Sequence, residues 1–532
     1  MKVTIPEISW HNRGPVLSVD VQTGCGNSDE RFWRVASGGA DSHVLIWHVT
    51  FNEAGEANVT CVADLERHQR TVNVVRFSPS GELLASGDDE SIIILWKLRE
   101  GCEIPVVTGD DIINQEQWNS WKVLRGHIED VYDLSWSPDS CSLVSASLDN
   151  SIILWDVNKG KKISMISDYH KGFPQGVTWD PTNKYIATIS SDRICRLVDI
   201  NSKKTVQRVS KSKVPAPAGN PLDGKIVRLF YDDTFKSFFR RLTFTPDGLL
   251  IIVPSGIIEP QDSSEKIVNC TVVFSRFNFK EPIVILPSYD EVTNAVRCCP
   301  VYFQLRKNGP PPMIALPYRI VFAVATDNSV MIYDTQQISP VAVISNIHYT
   351  RLTDISWSSD GKILIASSSD GYCSVINFND GELGEIHEVL PKANEIQKNE
   401  ETKDSTDTNS TINPLVEADT NAVDSDMLTD NPSVSSGSNQ VSPVKNVEKS
   451  EESKFTDTEK QSIGMDVDQI GSVHDADETE DFQLVLEDPV SEQEKNVKST
   501  PPKTEKPLNV SARTPRRVQL ITLSSPKRTK NE

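Results

Sequence analysis

The sequence predicts an all-β chain: a closed ring of seven four-stranded blades, then a long acidic disordered tail that ends in a basic peptide. Three observations predict it. One cassette recurs through the first 390 residues, each copy is made of short strand-like runs between turn residues, and large apolar side chains nearly vanish beyond residue 390.

The cassette is a polar turn with His, an alternating strand, Ser-Pro or Asp-Pro, an apolar strand, and an acidic residue six positions before an aromatic or apolar one. The first copy ends RVASGGADSHVLIWH, with Asp41 and Trp47. The second, RHQRTVNVVRFSPSGELLASGDDESIIILWK, places His68, Pro79, Glu90 and Trp96 in the pattern. The third, RGHIEDVYDLSWSPDSCSLVSASLDNSIILWD, is the fullest, with His127, Pro138, Asp149 and Trp155. The fourth, YHKGFPQGVTWDPTNKYIATISSDRICRLVD, places His170, Pro181, Asp192 and Val198. A degenerate fifth copy runs through RRLTFTPDGLLIIVPSG at 240–256 and IVNCTVVFSRF at 267–277. The sixth ends YRIVFAVATDNSVMIYD with Asp327 and Tyr333, and the last reads LTDISWSSDGKILIASSSDGYCSVINF with Asp370 and Ile376. Runs such as LLAS and IIILW, bounded by Pro, Gly, Ser and Asp, predict short strands and not helices.

These copies resemble the WD40 family, which implies a seven-bladed WD40 β-propeller with the blades set radially around a channel. One blade cannot bury both of its faces, so each uses its neighbours and the ring closes. In that family a turn Asp, the His, a strand Ser and the strand Trp share hydrogen bonds. The matching residues are Asp149, His127, Ser145 or Ser147, and Trp155, with His68, Trp96, His170 and Asp192 at the recurring positions of the flanking blades. Recurrence in blade after blade assigns these residues to architecture. Glycine turns such as SGGADS at 37–42 lack the strand–turn–helix context of a phosphate-binding loop, and neither a nucleophile elbow nor zinc spacing is found. No catalytic residue, cofactor or metal ligand is therefore assigned, and the chain reads as a non-enzyme.

Three segments break the period: 98–124, 211–244 and 303–319. Loops of such length in a compact domain are either functional or tolerated insertions.

Composition divides the chain into residues 1–390, 391–512 and 513–532. All ten Trp lie between Trp10 and Trp357, whereas 391–532 hold two aromatics, Phe455 and Phe482. Such a segment cannot offset its own ordering entropy and is expected to stay disordered. Net charge is −10 in 1–390, −16 in 391–512 and +5 in 513–532. An acidic body argues against direct grip on nucleic acid phosphates and for a basic partner. The start, MKVTIPEISWHNRG, has no apolar run, and LLIIVPSGII at 249–258 is broken by Pro254 and Gly256, so neither secretion nor membrane spanning is expected. Nine Cys without a C-x-x-C pair indicate reduced, packed thiols, with adjacent Cys298 and Cys299 the pair to watch.

The terminal stretch SARTPRRVQLITLSSPKRTKNE sets Arg516 and Arg517 ahead of Val518, Leu520, Ile521 and Leu523. Such a run can add as a strand to an exposed sheet edge while its arginines find carboxylates. Four S/T-P-x-K/R sequences, at Ser442, Thr500, Thr514 and Ser525, resemble sites of proline-directed cell-cycle kinases. Phosphate on Thr514 would add about −1.5 to −2 charge beside the two arginines. Lys527, Arg528 and Lys530 fit a nuclear import signal.

More narrowly, the chain resembles the family of middle, WD-repeat subunits of chromatin assembly factor 1, the replication-coupled histone chaperone. The resemblance rests on MKVTIPEISWHNRGPVLSVD, the seven blades, GNPLDGKIVRLFYDDTFKSFFRRLTFTPDG and TPRRVQLITL. The last peptide resembles the family's B-domain motif, which implies docking of the anti-silencing-function histone chaperone through Arg516, Arg517, Val518, Leu520 and Leu523; it departs at Thr522, where the motif has proline. The family also implies a propeller bound to the large subunit, a small histone-binding WD-repeat subunit in the same complex, core histones as cargo, DNA contacted only indirectly, and deposition in the nucleus during replication and repair. Two rival families come near. The replication-independent chaperone subunit related to the yeast histone-regulation repressors carries a second folded region after this motif, whereas this chain ends nine residues past Leu523. A ubiquitin-ligase substrate receptor often ends a blade with W-D-x-R, whereas here Asn158 follows Trp155-Asp156-Val157.

Overall fold

The computed structural model describes residues 1–24, 32–99, 115–167, 170–215, 225–259, 267–289, 291–388 and the strand 520–521. Its seven antiparallel sheets follow one another along the chain as the blades of a propeller. Blade three is the plainest: Val131–Trp136, Ser142–Ser147, Ile152–Asp156 and Lys161–Ile166, paired in sequence order. Middle strands such as Leu83–Asp88 and Ile363–Ser368 are buried at every residue, whereas the outer strand Lys161–Ile166 is mostly exposed. Neighbouring blades cover both faces of a middle strand, so its residues are buried without the alternation of a strand that has one face in water.

Ring closure uses both ends of the repeat region. Blade seven supplies only Leu352–Trp357, Ile363–Ser368 and Cys373–Asn377 from its own copy. Its fourth strand is Lys2–Thr4, in register with Lys2 opposite Asn377 and Thr4 opposite Val375. The opening residues thus fasten the ring, a role the repeat pattern did not reveal.

Blade five explains the insertion at 211–244. Its long strand Leu250–Glu259 bends at Ser255, which has φ of 59°. On one side of the bend it pairs with Thr243–Phe244, and on the other with Ile226–Phe230, which in turn pairs with Lys211–Lys213. Much of this insertion is therefore part of the blade. The segment 303–319 is fastened to blade six by Gln336, whose amide donates to the carbonyls of Arg306 (3.1 Å) and Pro310 (2.9 Å), and by Arg306 and Arg319, which both reach the buried Asp334 (2.7 and 2.9 Å). The first insertion returns through Glu116, bonded by Arg34, His48 and Trp118; burial pushes this carboxyl up, but the His48 and Arg34 bonds outweigh it and hold it at about 2.

Candidate functional site

The polar set of the third blade is complete. His127 lies 2.9 Å from Asp149 through Nδ1 and 2.6 Å from Ser145 through Nε2, and Trp155 Nε1 donates to the same Ser145 hydroxyl at 2.8 Å. Ser147 instead donates to the Glu129 carbonyl. Blade two repeats the set with His68, Ser86 and Trp96, but its carboxylate is Asp88, 2.5 Å from His68, and not Glu90. Asp88 also accepts the backbone N–H groups of Glu90 and Ile92, which closes the turn from inside and leaves Glu90 outside it. Sequence reading missed two further members, His11 with Ser37, Asp41 and Trp47 in blade one, and His348 with Asp370 and Ser374 in blade seven.

Blade four departs from the pattern. Val198 stands where the Trp would be, and Asp192 is taken by Arg196 at 2.5 Å, so among the described residues neither ring nitrogen of the buried His170 has a hydrogen-bond partner. Burial, then the Arg196 charge, lowers His170 to about 3 from its ordinary 6.5. Below pH 6.5 the unfolded chain takes up this proton and the folded chain does not, so stability falls with pH, by about 2 kcal/mol at pH 5. We expect His170→Leu to flatten the pH dependence of the urea midpoint between pH 7 and 5. Parallel curves for variant and parent would remove His170 from that account.

The inner strands carry a second polar assembly that spans the channel. Asp354, fully buried, accepts from Arg76 (2.7 Å) and Ser18 (2.8 Å) and pairs with Arg241 at 3.2 Å. Asp133 pairs with Arg76 (3.5 Å) and Arg241 (3.4 Å) and accepts the Val177 N–H. Arg241 reaches across to the carbonyls of Leu17 and Asn73 and stacks on Phe239 at 4.3 Å. Asp20 accepts the Phe77 N–H and the Ser356 hydroxyl, and burial, outweighing Arg76, raises its pKa. Burial lowers Arg241 to about 10, so it stays charged at neutral pH. Backbone approach here is close: a Cβ on Gly176 would lie 2.0 Å from the Arg240 carbonyl oxygen. This assembly ties blades across the ring and acts as a clamp.

Of the docking residues read from the sequence, Leu520 is placed: Leu520–Ile521 forms a two-residue strand antiparallel to the outer strand Gln337–Ser345 of blade six, with Ile344 opposite Leu520 and Val343 opposite Ile521. Arg516, Arg517, Val518 and Leu523 lie outside the described residues, as do Ser442, Thr500, Thr514 and Ser525. His43, Asp64 and Glu66 have ligand atoms near enough to share an ion, but His43 already pairs with Asp64 at 2.7 Å. Cys298 and Cys299 are free thiols, and burial pushes both up, Cys299 to about 12.

Comparison with known proteins agrees with this architecture. The family model for the CAF1B/HIR1 beta-propeller domain matches residues 1–383. The B subunit of chromatin assembly factor 1 from Gallus gallus is 48% identical over 397 residues, 72% of this chain and 69% of the relative. The protein of that name in Saccharomyces cerevisiae is 32% identical over 416 residues, 71% of this chain and 86% of the relative. Protein HIR1 of Kluyveromyces lactis is 30% identical over 372 residues, which cover 66% of this chain but 40% of that protein. On its blades and on these matches, the chain belongs to the CAF1B/HIR1 β-propeller family.

Proposed function

We propose that this chain is the non-catalytic WD-repeat subunit of a chromatin-assembly histone chaperone, acting in the nucleus. One observation carries the reading: a seven-bladed propeller that is 47–48% identical, over 72% of the chain, to vertebrate proteins named as the B subunit of chromatin assembly factor 1. In this reading the propeller binds the large subunit, alongside the small histone-binding WD-repeat subunit. The acidic linker 391–512 screens basic histones, and the peptide 513–532 docks the anti-silencing-function chaperone that brings them. An acidic surface speeds encounter with basic cargo and opposes premature contact with DNA. Strand addition as the docking mode is supported by the habit of Leu520–Ile521, which extends a sheet edge within its own chain.

Affinity purification followed by mass spectrometry tests the assembly. Recovery of the large subunit is expected; recovery of cullin-ligase adaptors without it would overturn the reading. For the tail, a synthetic peptide of residues 510–532 is expected to bind the anti-silencing chaperone at micromolar concentration. Replacing Arg516 and Arg517 by Ala should weaken it by about 1–3 kcal/mol, as for charge-assisted contacts. Equal calorimetric affinities for the two peptides would reject the docking role of the arginines.

A further inference from the structure

The inner strands of the ring all run in one direction, so the loops that lead into them gather at one mouth of the channel. Three large apolar side chains stand exposed on these loops: Ile128 (77%), Phe238 (65%) and Tyr349 (69%). Phe238 belongs to an aromatic group centred on Tyr132, whose ring lies 6.3 Å from Phe173, 6.3 Å from Phe238 and 6.4 Å from Phe239. The strip carrying Phe238 is fixed from below, where Gln175 donates to the carbonyls of Ser237 (3.2 Å) and Phe238 (3.3 Å), and from the side, where Arg351 donates to the Lys236 carbonyl. Gln175 is more than nine-tenths buried, and among the described residues no donor reaches its Oε1 beneath this strip.

Charge at the mouth is uneven. Asp89, Glu129 and Asp130 stand on the side of blades two and three, and among the described residues no ion pair reaches any of them. Burial, then the Asp89 and Glu129 charges, raises the Asp130 pKa, and burial, then Asp130 and Asp89, raises Tyr132 to about 12. Asp89 accepts the Asn73 amide at 2.6 Å, but no cation pairs with the three carboxylates among the described residues, and their grouped charge favours an incoming cation. Lys171 and Lys236 lie on the loops entering blades four and five, two residues before Phe173 and Phe238, so the acidic side of the mouth borders a basic one. A cation over the face of an exposed aromatic ring gains from the ring as well as from the carboxylates, and exposed apolar residues grouped with polar neighbours mark an interaction surface.

We propose that this channel mouth binds an extended basic peptide, which lays an apolar side chain on Phe238 and Ile128 and sets a lysine or arginine beside Asp130, Asp89 and Tyr132. The ring itself then contacts basic cargo, independently of the tail. The inference rests on the histone-chaperone reading only in naming histones as the natural source of such a peptide.

The test uses the full chain and a fluorescein-labelled Ala-Arg-Ala-Lys-Ala-Leu-Ala-Arg peptide, read by anisotropy at about 0.15 M salt. Saturable binding is expected, weakened roughly tenfold or more by Phe238→Ala combined with Asp130→Asn. Ile128→Ser, at a more exposed position, should weaken binding in the same direction, and unchanged urea midpoints establish that each variant is folded. Undiminished binding by these variants would overturn the proposal and place the peptide on the acidic tail. Equal binding of the same peptide with Glu in place of Arg and Lys would also overturn it. If the mouth variants lose the peptide while purification fails to recover the large subunit, the surface stands and the chaperone reading falls.

Discussion

Asp354→Ala is expected to lower the stability of the propeller by about 3–5 kcal/mol, the cost of leaving buried guanidinium groups without their counter-charge. Asp354 is fully buried and holds Arg76 at 2.7 Å and Arg241 at 3.2 Å. Burial pushes its carboxyl up, but Arg241, Arg76 and Arg297 outweigh burial and hold it at about 2, below the ordinary 3.8. A carboxyl lowered in the folded state stabilises above pH 3.8 and loses that contribution as pH falls through about 2, a difference of about 2 kcal/mol. Removing the side chain costs more than protonating it, because the Ser18 bond and the packing go too. The ring joins its first and last blades at this residue, so the loss should appear as a lower urea midpoint for the whole ring. A variant that melts like the parent would show that water or side-chain rearrangement solvates Arg76 and Arg241, and that the channel is not a clamp.

Trp155→Ala should cost a similar amount, about 3–5 kcal/mol, through the cavity left by a side chain that is 1% exposed. Its ring packs directly on Gly126, where a Cβ would lie 2.9 Å away, and meets His127 edge-on at 6.2 Å between centroids. The indole N–H to Ser145 is the smaller part, because Ser145 keeps its bond to His127. Trp155→Phe is therefore expected to cost less, about 1–2 kcal/mol for one lost hydrogen bond and a little volume. Chemical denaturation of the two variants separates the contributions. Equal losses in both would mean that the polar bond, and not the packing, fastens this strand.

Blade four shows how far the repeat could be read. The offsets placed His170 and Asp192 in register with His127 and Asp149, yet Asp192 pairs with Arg196, and Val198 occupies the Trp position. In blade two the count of residues favoured Glu90, whereas hydrogen bonding to the turn's own N–H groups selected Asp88. His11 escaped notice because it precedes Ser37 by 26 residues, against 18 between His127 and Ser145. A longer hairpin separates the partners without changing their meeting place. Sequence spacing records the contour length of the chain, and the hydrogen-bonded set records positions in space.

What the sequence determined by itself was the blade and the number of blades, because strand length and turn chemistry are local properties. Only the tertiary structure decided the closing strand Lys2–Thr4, the split inner strand of blade five, and the channel set of Ser18, Arg76, Asp133, Arg241 and Asp354. Those residues are up to 336 positions apart and carry no common spacing. Closure of the ring brings them together, and burial then makes each charge depend on the others.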